Sequence, residues 1–348
     1  LLKEILAEHA MVLLENEKGT LPILDLRDKK IASLSISNGS EEHFQQMLKK
    51  YKTVENYSLT HEATRETFYM MRSHLKKYDQ VILGIHPKRN KQGQPLPLNQ
   101  RVLDFIDRLS YLNRMALVIF AKPGYLSHLN DLHHPDAVLA THGNDSLYQN
   151  KAAQLVFGGI MPQGRLAGNI DLRIEAGSGK IMDQEPCRLG YASPGIVGMD
   201  KDTLKQIQKI AKKAIADKVM PGCRIVAARQ GKIFFNQSFG HHTYKGKRAV
   251  RNDDLYDLAS LTKVAATTMA LMHQYDKGAF SLEDPLSKFI PGLDTTNKAS
   301  LQFKNVLGHQ ARLAGWLPFY YETYEDYRSH TLREDLFKKQ PQEGYTHQ

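Results

Sequence analysis

Hydrophobic residues in the first half of the chain form short continuous runs, and these runs alternate with amphipathic segments. The runs predict buried strands, while apolar residues three and four positions apart predict helices. The predicted strands are 31–36, 54–59, 80–85, 116–120 and 137–140, and the predicted helices are 1–16, 41–51, 63–77, 99–113 and 146–157. This alternation is typical of a parallel sheet that helices cover on both faces. The first half is therefore predicted to be an α/β sandwich.

Polar segments follow the predicted strands of this sheet, at 37–39, 86–88, 122–124 and 142–144. Ligands of parallel sheets bind beyond the carboxyl ends of the strands, so these segments could bind a sugar or a phosphate. Polar loops also follow such strands when no ligand binds. The sequence leaves both alternatives open.

The second half has a different pattern. Segment 173–198 is rich in glycine and proline and predicts a linker. Segment 200–218 predicts a helix with one apolar face, capped by Asp200. The apolar runs 223–228 and 233–239 flank a Gln230-Gly231 turn, which predicts a β-hairpin, and a further apolar helix is predicted at 264–275.

The chain of 348 residues carries a net charge of +10, and a hydrophobic fraction of 41% excludes intrinsic disorder. The densest basic runs, 88–91 and 245–248, are short and lack aromatic residues, so we predict no nucleic-acid binding. The charge is compatible with an acidic polymer. No apolar run approaches the ~20 residues of a membrane-spanning helix, so no transmembrane segment is predicted.

Candidate metal ligands and cysteines are few. We predict that Cys187 and Cys223 are two separate small buried residues and do not form a disulfide framework. The adjacent histidine pairs 133–134 and 241–242 are a poor pattern for a shared ion, because neighbours in sequence rarely bind one metal together. No metal and no cofactor are predicted.

Ser260 and Lys263 form a Ser-x-x-Lys motif where the last apolar helix begins. The free N–H groups and the positive dipole end of that helix would lie beside Ser260, with Asp257 as a candidate cap. Lys263 lies one turn on, within reach of the serine hydroxyl. The apolar helix is expected to bury the Lys263 stem, which favours a neutral amine able to accept the serine proton.

A structural explanation of the motif is also open, in which Ser260 caps a helix and Lys263 is a surface residue. Short motifs of this kind recur by chance. Ser73 and Lys76 form a second copy in the middle of a predicted helix, without a favourable setting.

Segments 12–23, 136–139 and 152–166 together resemble the C-terminal α/β sandwich domain of glycoside hydrolase family 3, over roughly residues 1–175. The resemblance implies an edge strand after the Pro162-Gln163-Gly164 turn. In that family the nucleophilic carboxylate lies in an N-terminal barrel domain, which this chain lacks. Glu15 and Glu17, two apart on a predicted helix end, are not expected to face each other. This half alone is therefore not expected to cleave a glycosidic bond.

Segments 220–226, 256–263, 282–291 and 305–311 resemble serine β-lactamases and penicillin-binding proteins, nearest the class C enzymes and related esterases. The resemblance implies that Ser260 is the nucleophile that forms an acyl intermediate and that Lys263 is its general base. It also implies that the backbone N–H of Ser260 is one donor of the oxyanion hole.

Three departures from that family bear on activity. Segments 324–326 and 327–329 are loose candidates for its Tyr-x-Asn element, and Tyr345 is followed only by three residues. Its Lys-Thr-Gly or His-x-Gly element is absent. Ala311-Arg312 stands where the family has Ser-Gly, which suggests a changed turn or a domain not selected for catalysis. We expect an incomplete domain with unpaired sheet edges and an exposed core.

The predicted fold class is α/β: a parallel-sheet α/β sandwich at 1–175, a linker at 176–198 and an incomplete α+β β-lactamase-like domain at 199–348. The two resemblances imply a piece of a bacterial envelope hydrolase, periplasmic or otherwise extracytoplasmic. Its substrate would be a small molecule such as a β-lactam, a peptidoglycan-derived peptide or an ester. The alternative is a non-catalytic module that supports a glycosidase barrel. The sequence leaves the oligomeric state open.

Overall fold

A computed structural model describes residues 1–39, 41–129, 135–171, 174–315, 318–326, 328 and 331–332. The chain forms two compact units, Leu1–Asp254 and Leu255–Gln348. This division differs from the domains at 1–175 and 199–348, which stay a prediction. The two units are described separately below.

The first unit contains a six-stranded sheet. Its strands are β1 Val12–Asn16, β2 Ile31–Ile36, β3 Glu55–Leu59, β4 Gln80–Ile85, β5 Arg114–Ile119 and β6 Ala137–Ala140, in the order β1-β6-β5-β4-β2-β3. The strands from β2 to β6 are parallel, and β1 pairs antiparallel with β6 at one edge. Every residue of β2 and β4 is buried. The predicted parallel α/β sheet is confirmed.

Four helices pack on this sheet, α2 Glu42–Lys49, α3 Arg65–Leu75, α4 Gln100–Ser110 and α5 Ser146–Val156, and α1 Leu2–His9 packs against α5. One buried cluster contains Phe68 of α3 and Phe105 of α4, and another contains Phe44 of α2 and Ala152 of α5. Both clusters include residues of the central strands, so the sheet is covered on both faces as predicted.

The predicted helix at 1–16 is wrong in its second part. Helix α1 ends at His9, and Val12–Asn16 is strand β1. Backbone pairing with β6 decides this conformation, since Leu13 lies opposite Leu139 and is fully buried. Glu15 is thus a strand residue, and its carboxylate lies 3.1 Å from the Lys180 ammonium.

The segment predicted as a linker packs against the sandwich. The Arg188 guanidinium donates hydrogen bonds to the backbone carbonyls of Ile23, Leu24 and Phe157. The edge strand implied at Arg165 is not formed, and Leu166 instead exchanges backbone hydrogen bonds with this segment at 2.8 and 2.9 Å. Because these hydrogen bonds tie the segment to the sandwich, it is a structural part of the first unit.

The remainder of the first unit is a smaller layer. Strands β7 Gly190–Tyr191, β8 Gly222–Arg229 and β9 Lys232–Gly240 form a sheet in the order β7-β9-β8, and α6 Lys201–Ala216 packs on it. The Asp200 side chain accepts a hydrogen bond of 2.6 Å from the Thr203 N–H. The predicted hairpin, helix and cap are confirmed.

The two cysteines are free, as predicted, but neither is buried. Cys187 is exposed and Cys223 is half-buried. Cys187 lies in the packed segment that precedes β7, where its thiol is 3.7 Å from the Gly158 carbonyl oxygen. The expectation of two buried residues is therefore wrong.

The second unit contains α7 Met269–Asp276, α8 Phe303–Leu307, β10 Tyr324–Asp326 and β11 Thr331–Leu332. A π-helical turn, Lys263–Thr268, leads into α7. Among the described residues of this unit, Phe280 is the one buried hydrophobic side chain, while Leu255 is 99% exposed. The exposed core that we expected is present in this part of the chain.

Candidate active site

Ser260 lies directly before the first helical residue, at the end of a turn. The Lys263 N–H donates to the Ser260 carbonyl at 3.1 Å, which closes the first turn after the serine. Residues Lys263–Thr268 then follow π-helical geometry, and the Thr268 hydroxyl donates to the Lys263 carbonyl at 2.9 Å. Single π-helical turns inside helices are frequent at functional sites.

The Lys263 ammonium donates a hydrogen bond of 2.8 Å to the Ser260 hydroxyl oxygen. The motif spacing therefore brings the two side chains into direct contact, as the sequence suggested. The distance is within the range required between a nucleophile and its base. Their catalytic roles stay a prediction.

The backbone N–H of Ser260 donates no hydrogen bond to any part of the chain that the structure describes. The N–H groups of its neighbours Leu261 and Thr262 donate to the carbonyls of Leu258 and Ala259. An unpaired N–H is available as a hydrogen-bond donor, and its role as one donor of an oxyanion hole stays a prediction.

The residue before the serine has a strained backbone. Ala259 has a φ of +44°, in the left-handed region that residues other than glycine rarely adopt. An alanine carries no signal of this conformation, so sequence patterns could not predict it. The Asp257 carboxylate accepts a hydrogen bond of 2.7 Å from the Ala259 N–H, within this turn.

The interpretation of Asp257 as the helix cap is therefore wrong. Its carboxylate bonds to an N–H two residues on, in the turn before the helix, and reaches no N–H of the first helical turn. The helix begins too late in the sequence for this side chain to cap it. Asp257 instead fixes the turn that presents Ser260.

The expected burial of Lys263 is also wrong. Both Ser260 and Lys263 are exposed. The apolar residues that were expected to cover the lysine stem are exposed as well, with Val264 at 69% and Met269 at 56%. Ser260 and Lys263 are thus in contact, but the described residues do not bury Lys263 as the sequence predicted.

The second Ser-x-x-Lys copy differs in its setting. Ser73 lies inside α3, and Lys76 is the residue that ends this helix. Both are exposed, and the structure gives no hydrogen bond between their side chains in the described chain. Equal spacing therefore produces the contact at Ser260 and Lys263 and not at Ser73 and Lys76.

Arg312 has a backbone conformation that favours glycine. Its φ is +53°, in the left-handed region, where the resembled family has a glycine. Whether the turn differs from that of the resembled family stays a prediction. The arginine itself adopts the strained conformation.

The loose candidates for the Tyr-x-Asn element are only partly described. Tyr324 lies in β10 and pairs with Leu332 of β11. Tyr327, Ser329 and Tyr345 lie outside the described residues. A proton-orienting role for any of them stays a prediction.

Polar groups also meet where the strands of the large sheet end. His86 follows β4, its Nδ1 lies 2.7 Å from the Asn144 amide oxygen, and its ring stacks on Phe120 with centroids 4.2 Å apart. Burial lowers the pKa of His86 to about 4, although the Asn144 hydrogen bond opposes this shift. The His86 carbonyl lies 2.9 Å from Nε2 of His61. These groups bind one another, and a ligand site at this edge stays a prediction.

No cluster of three or more His, Cys, Asp or Glu suited to a metal ion occurs in the described part of the chain. In the pair at 241–242, His242 lies 2.8 Å from the Asp254 carboxylate. The pair at 133–134 lies outside the described residues. Within the described ranges, no helix has the length and hydropathy to cross a membrane.

Residues 207–347 match the sequence model of a family described as Beta-lactamase. The second half of the chain therefore carries a β-lactamase-family domain, which confirms the predicted resemblance. The match begins in α6, so it includes the hairpin of the first unit as well as the Ser260 segment.

Two curated relatives match part of this chain. "Protein flp" of Staphylococcus aureus (strain N315) is 30% identical over 93 residues, which are 27% of this chain and 18% of that protein. "Penicillin-binding protein 4*" of Bacillus subtilis (strain 168) is 24% identical over 104 residues, 30% of this chain and 22% of that protein. The chain thus spans about a fifth of the length of these relatives.

Similar solved structures include glycoside hydrolases of family 3. A β-N-acetylglucosaminidase from Paenibacillus sp. is 15% identical, with a TM-score of 0.37 over 46% of this chain and 30% of that one. A β-glucosidase from Listeria innocua is 18% identical, with a TM-score of 0.39 over 48% and 26%. A fungal multi-domain β-N-acetylglucosaminidase is 16% identical, with a TM-score of 0.38 over 80% and 33%.

Proposed function

We propose that this chain is part of an extracytoplasmic bacterial envelope hydrolase that transfers acyl groups to water through an acyl-Ser260 intermediate. The observation that carries the proposal is the 2.8 Å contact between the Lys263 amine and the Ser260 hydroxyl. The β-lactamase-family match over 207–347 gives this contact a chemical context. The substrate class is a β-lactam, a peptidoglycan-derived peptide or an ester.

The chemistry requires Lys263 in its neutral form. The amine accepts the hydroxyl proton while Ser260 Oγ attacks the substrate carbonyl carbon, and the Ser260 N–H stabilises the oxyanion that forms. The carbon–nitrogen or carbon–oxygen bond of the substrate then breaks, and the leaving group receives the proton. A water molecule attacks the acyl-serine by the same route and releases the acid.

The sandwich half is proposed to support a family 3 β-glycosidase barrel that lies outside this chain. Hydrolysis of a glycosidic bond requires two carboxyl groups that flank the bond. Glu15, the acidic residue of β1, is engaged with Lys180 instead. We therefore expect no hydrolysis of a chromogenic N-acetylglucosaminide by this chain alone.

Active-site labelling tests the acyl transfer. We expect a fluorescent penicillin or a fluorophosphonate to label the full chain, and Ser260→Ala to abolish the label. Ser73→Ala is the matched control, because Ser73 has the same spacing to Lys76 without the contact. Labelling of this control should equal that of the unchanged protein.

The alternative is a non-catalytic module that supports the barrel, and the exposure of Ser260 and Lys263 favours it. Absence of a label with both reagents, on a sample that circular dichroism shows to be folded, would decide for this alternative. A label that survives Ser260→Ala would instead assign the reactivity to another residue.

A further inference from the structure

A groove of about 380 Å³ lies between α3 and α4. Two buried aromatic rings, those of Phe68 and Phe105, line it, tilted at 42° to each other with centroids 4.9 Å apart. Its charged lining consists of Arg65, Arg72, Arg101, Arg108 and Asp104. Four guanidinium groups against one carboxylate give the groove a strong positive charge.

The arginines repeat with the same spacing on both walls. Arg65 and Arg72 are seven residues apart on α3, and Arg101 and Arg108 are seven apart on α4. Seven residues are close to two helical turns, so the two arginines of each wall lie on the same side of their helix. Their Cα atoms are about 10 Å apart. The groove therefore presents paired positive charges at two levels along its length.

No ion pair within the described residues neutralises these charges. The ion pairs of the described residues include none of the four arginines, and Asp104 instead accepts a hydrogen bond from the Gln100 amide. Arg72 lies over the Tyr69 ring at 5.6 Å, and Arg101 donates to the Ala63 carbonyl at 3.3 Å. Arg65 and Arg108 are exposed.

We propose that this groove binds an acidic polysaccharide through its carboxylate groups. Guanidinium groups form paired hydrogen bonds with carboxylates, and the 60% exposed Tyr69 ring offers a flat surface to a sugar face. In an extended uronic acid chain, alternate sugars present their carboxylates on the same side, which suits charges at two separate levels. This site is independent of the acyl transfer at Ser260.

The charge spacing argues against a nucleic acid in this groove. A nucleic-acid strand carries one charge per about 3.4 Å. About three phosphates would therefore lie along the ~10 Å that separates the two arginines of one wall. Tyr69 is also the one exposed aromatic side chain of the groove, whereas single strands bind by stacking successive bases.

The test measures binding of a fluorescently labelled oligogalacturonate to the full chain by fluorescence polarisation at about 0.1 M salt. At this salt concentration, an arginine and a carboxylate in direct contact still attract each other. The double variant Arg65→Gln with Arg108→Gln removes one charge from each wall. We expect it to weaken binding about tenfold or more, since each charge-assisted contact is strong. Asp104→Asn, which removes the opposing carboxylate, should strengthen binding.

The matched control is Lys201→Gln with Lys212→Gln, two exposed positions of α6 that change the net charge equally. This control should change the affinity by less than about twofold, because it lies outside the groove. Absence of binding, or an equal loss in both double variants, would overturn the proposal. Tighter binding of inorganic polyphosphate or of single-stranded DNA than of oligogalacturonate would overturn the polysaccharide assignment.

Discussion

The Lys151 ammonium, whose side chain is only 2% exposed, lies 2.8 Å from the Glu8 carboxylate. The Glu4 carboxylate lies 3.3 Å from the same ammonium, so one helix of the sandwich, α5, binds α1 through two ion pairs. Burial alone would raise the pKa of Glu8, but hydrogen bonds from Lys151 and Lys232 outweigh it and keep this pKa below its usual value. Lys232 connects the same carboxylate to β9 at 2.7 Å.

Lys151→Met should therefore destabilise the first unit. It leaves the partly buried Glu4 carboxylate without its cation and Glu8 with Lys232 alone, and loss of one partner of a buried ion pair costs up to about 3–5 kcal/mol. Urea denaturation followed by circular dichroism measures the change in the free energy of unfolding.

The control for this variant is Lys213→Met, which removes an exposed ion pair of α6 with Asp217. We expect a loss below about 1 kcal/mol there. If Lys151→Met were no more harmful than Lys213→Met, the ion pairs to Glu4 and Glu8 would not be a source of stability.

His86 should make the stability of the sandwich depend on pH. Its pKa in the folded protein is about 4, below the ordinary value of 6.5, so the unfolded chain binds a proton that the folded chain excludes between these values. The free energy of unfolding should therefore fall as the pH decreases from 6.5 to 4, by up to about 1.4 kcal/mol per pH unit.

Urea titrations at several pH values test this expectation. His86→Phe keeps an aromatic ring against Phe120 and should flatten the pH dependence across this window. His43→Phe changes an exposed histidine of α2 and should leave the dependence as it is. A slope unchanged by His86→Phe would mean that other groups cause it.

Arg312→Gly should stabilise the second unit. The left-handed conformation costs an L-residue about 1–2 kcal/mol, while glycine loses about 0.5–1 kcal/mol more in backbone entropy, so a net gain of about 0.5 kcal/mol is expected. Thermal unfolding measures it. Lys277→Gly, at an exposed position with a φ of −80°, should destabilise instead, and a gain there of the same size would remove the conformational explanation.

Variants of Lys263 test whether this residue acts as a proton acceptor or only as a positive charge. Lys263→Met should slow acylation of Ser260 by about 10²–10⁴-fold, the usual contribution of general base catalysis. Lys263→Arg should be as slow, because a guanidinium retains its proton and cannot act as a base. Lys76→Met serves as the control and should label at the normal rate. Normal acylation by the arginine variant would exclude the base role.

The buried strands were predictable because burial on both faces of the sheet requires a run of mostly apolar residues, which is visible in the sequence. Ile31–Ile36, Gln80–Ile85 and Ala137–Ala140 agree with the prediction at both ends, since strands covered on both faces consist mostly of apolar residues. The edge strand Val12–Asn16 was mistaken for helix because its pairing with β6 depends on residues far along the chain. Local periodicity carries no information about such pairing.

The candidate site was predictable in part for the same reason. The contact between Ser260 and Lys263 follows from three-residue spacing at a helix start, which is local. The exposure of Lys263 depends on what packs around the helix, and the left-handed backbone at Ala259 depends on the turn that Asp257 fixes. Neither property is encoded in the motif itself.

The three carbonyl contacts of Arg188 have a practical consequence for isolating the sandwich. A recombinant fragment that stops at residue 175 would omit this guanidinium and leave the carbonyls of Ile23, Leu24 and Phe157 without their donor. It would also omit Ser193, whose hydroxyl and N–H donate to Glu4. The shortest autonomous version of this half should therefore extend through residue 193, well beyond the limit that sequence resemblance suggests.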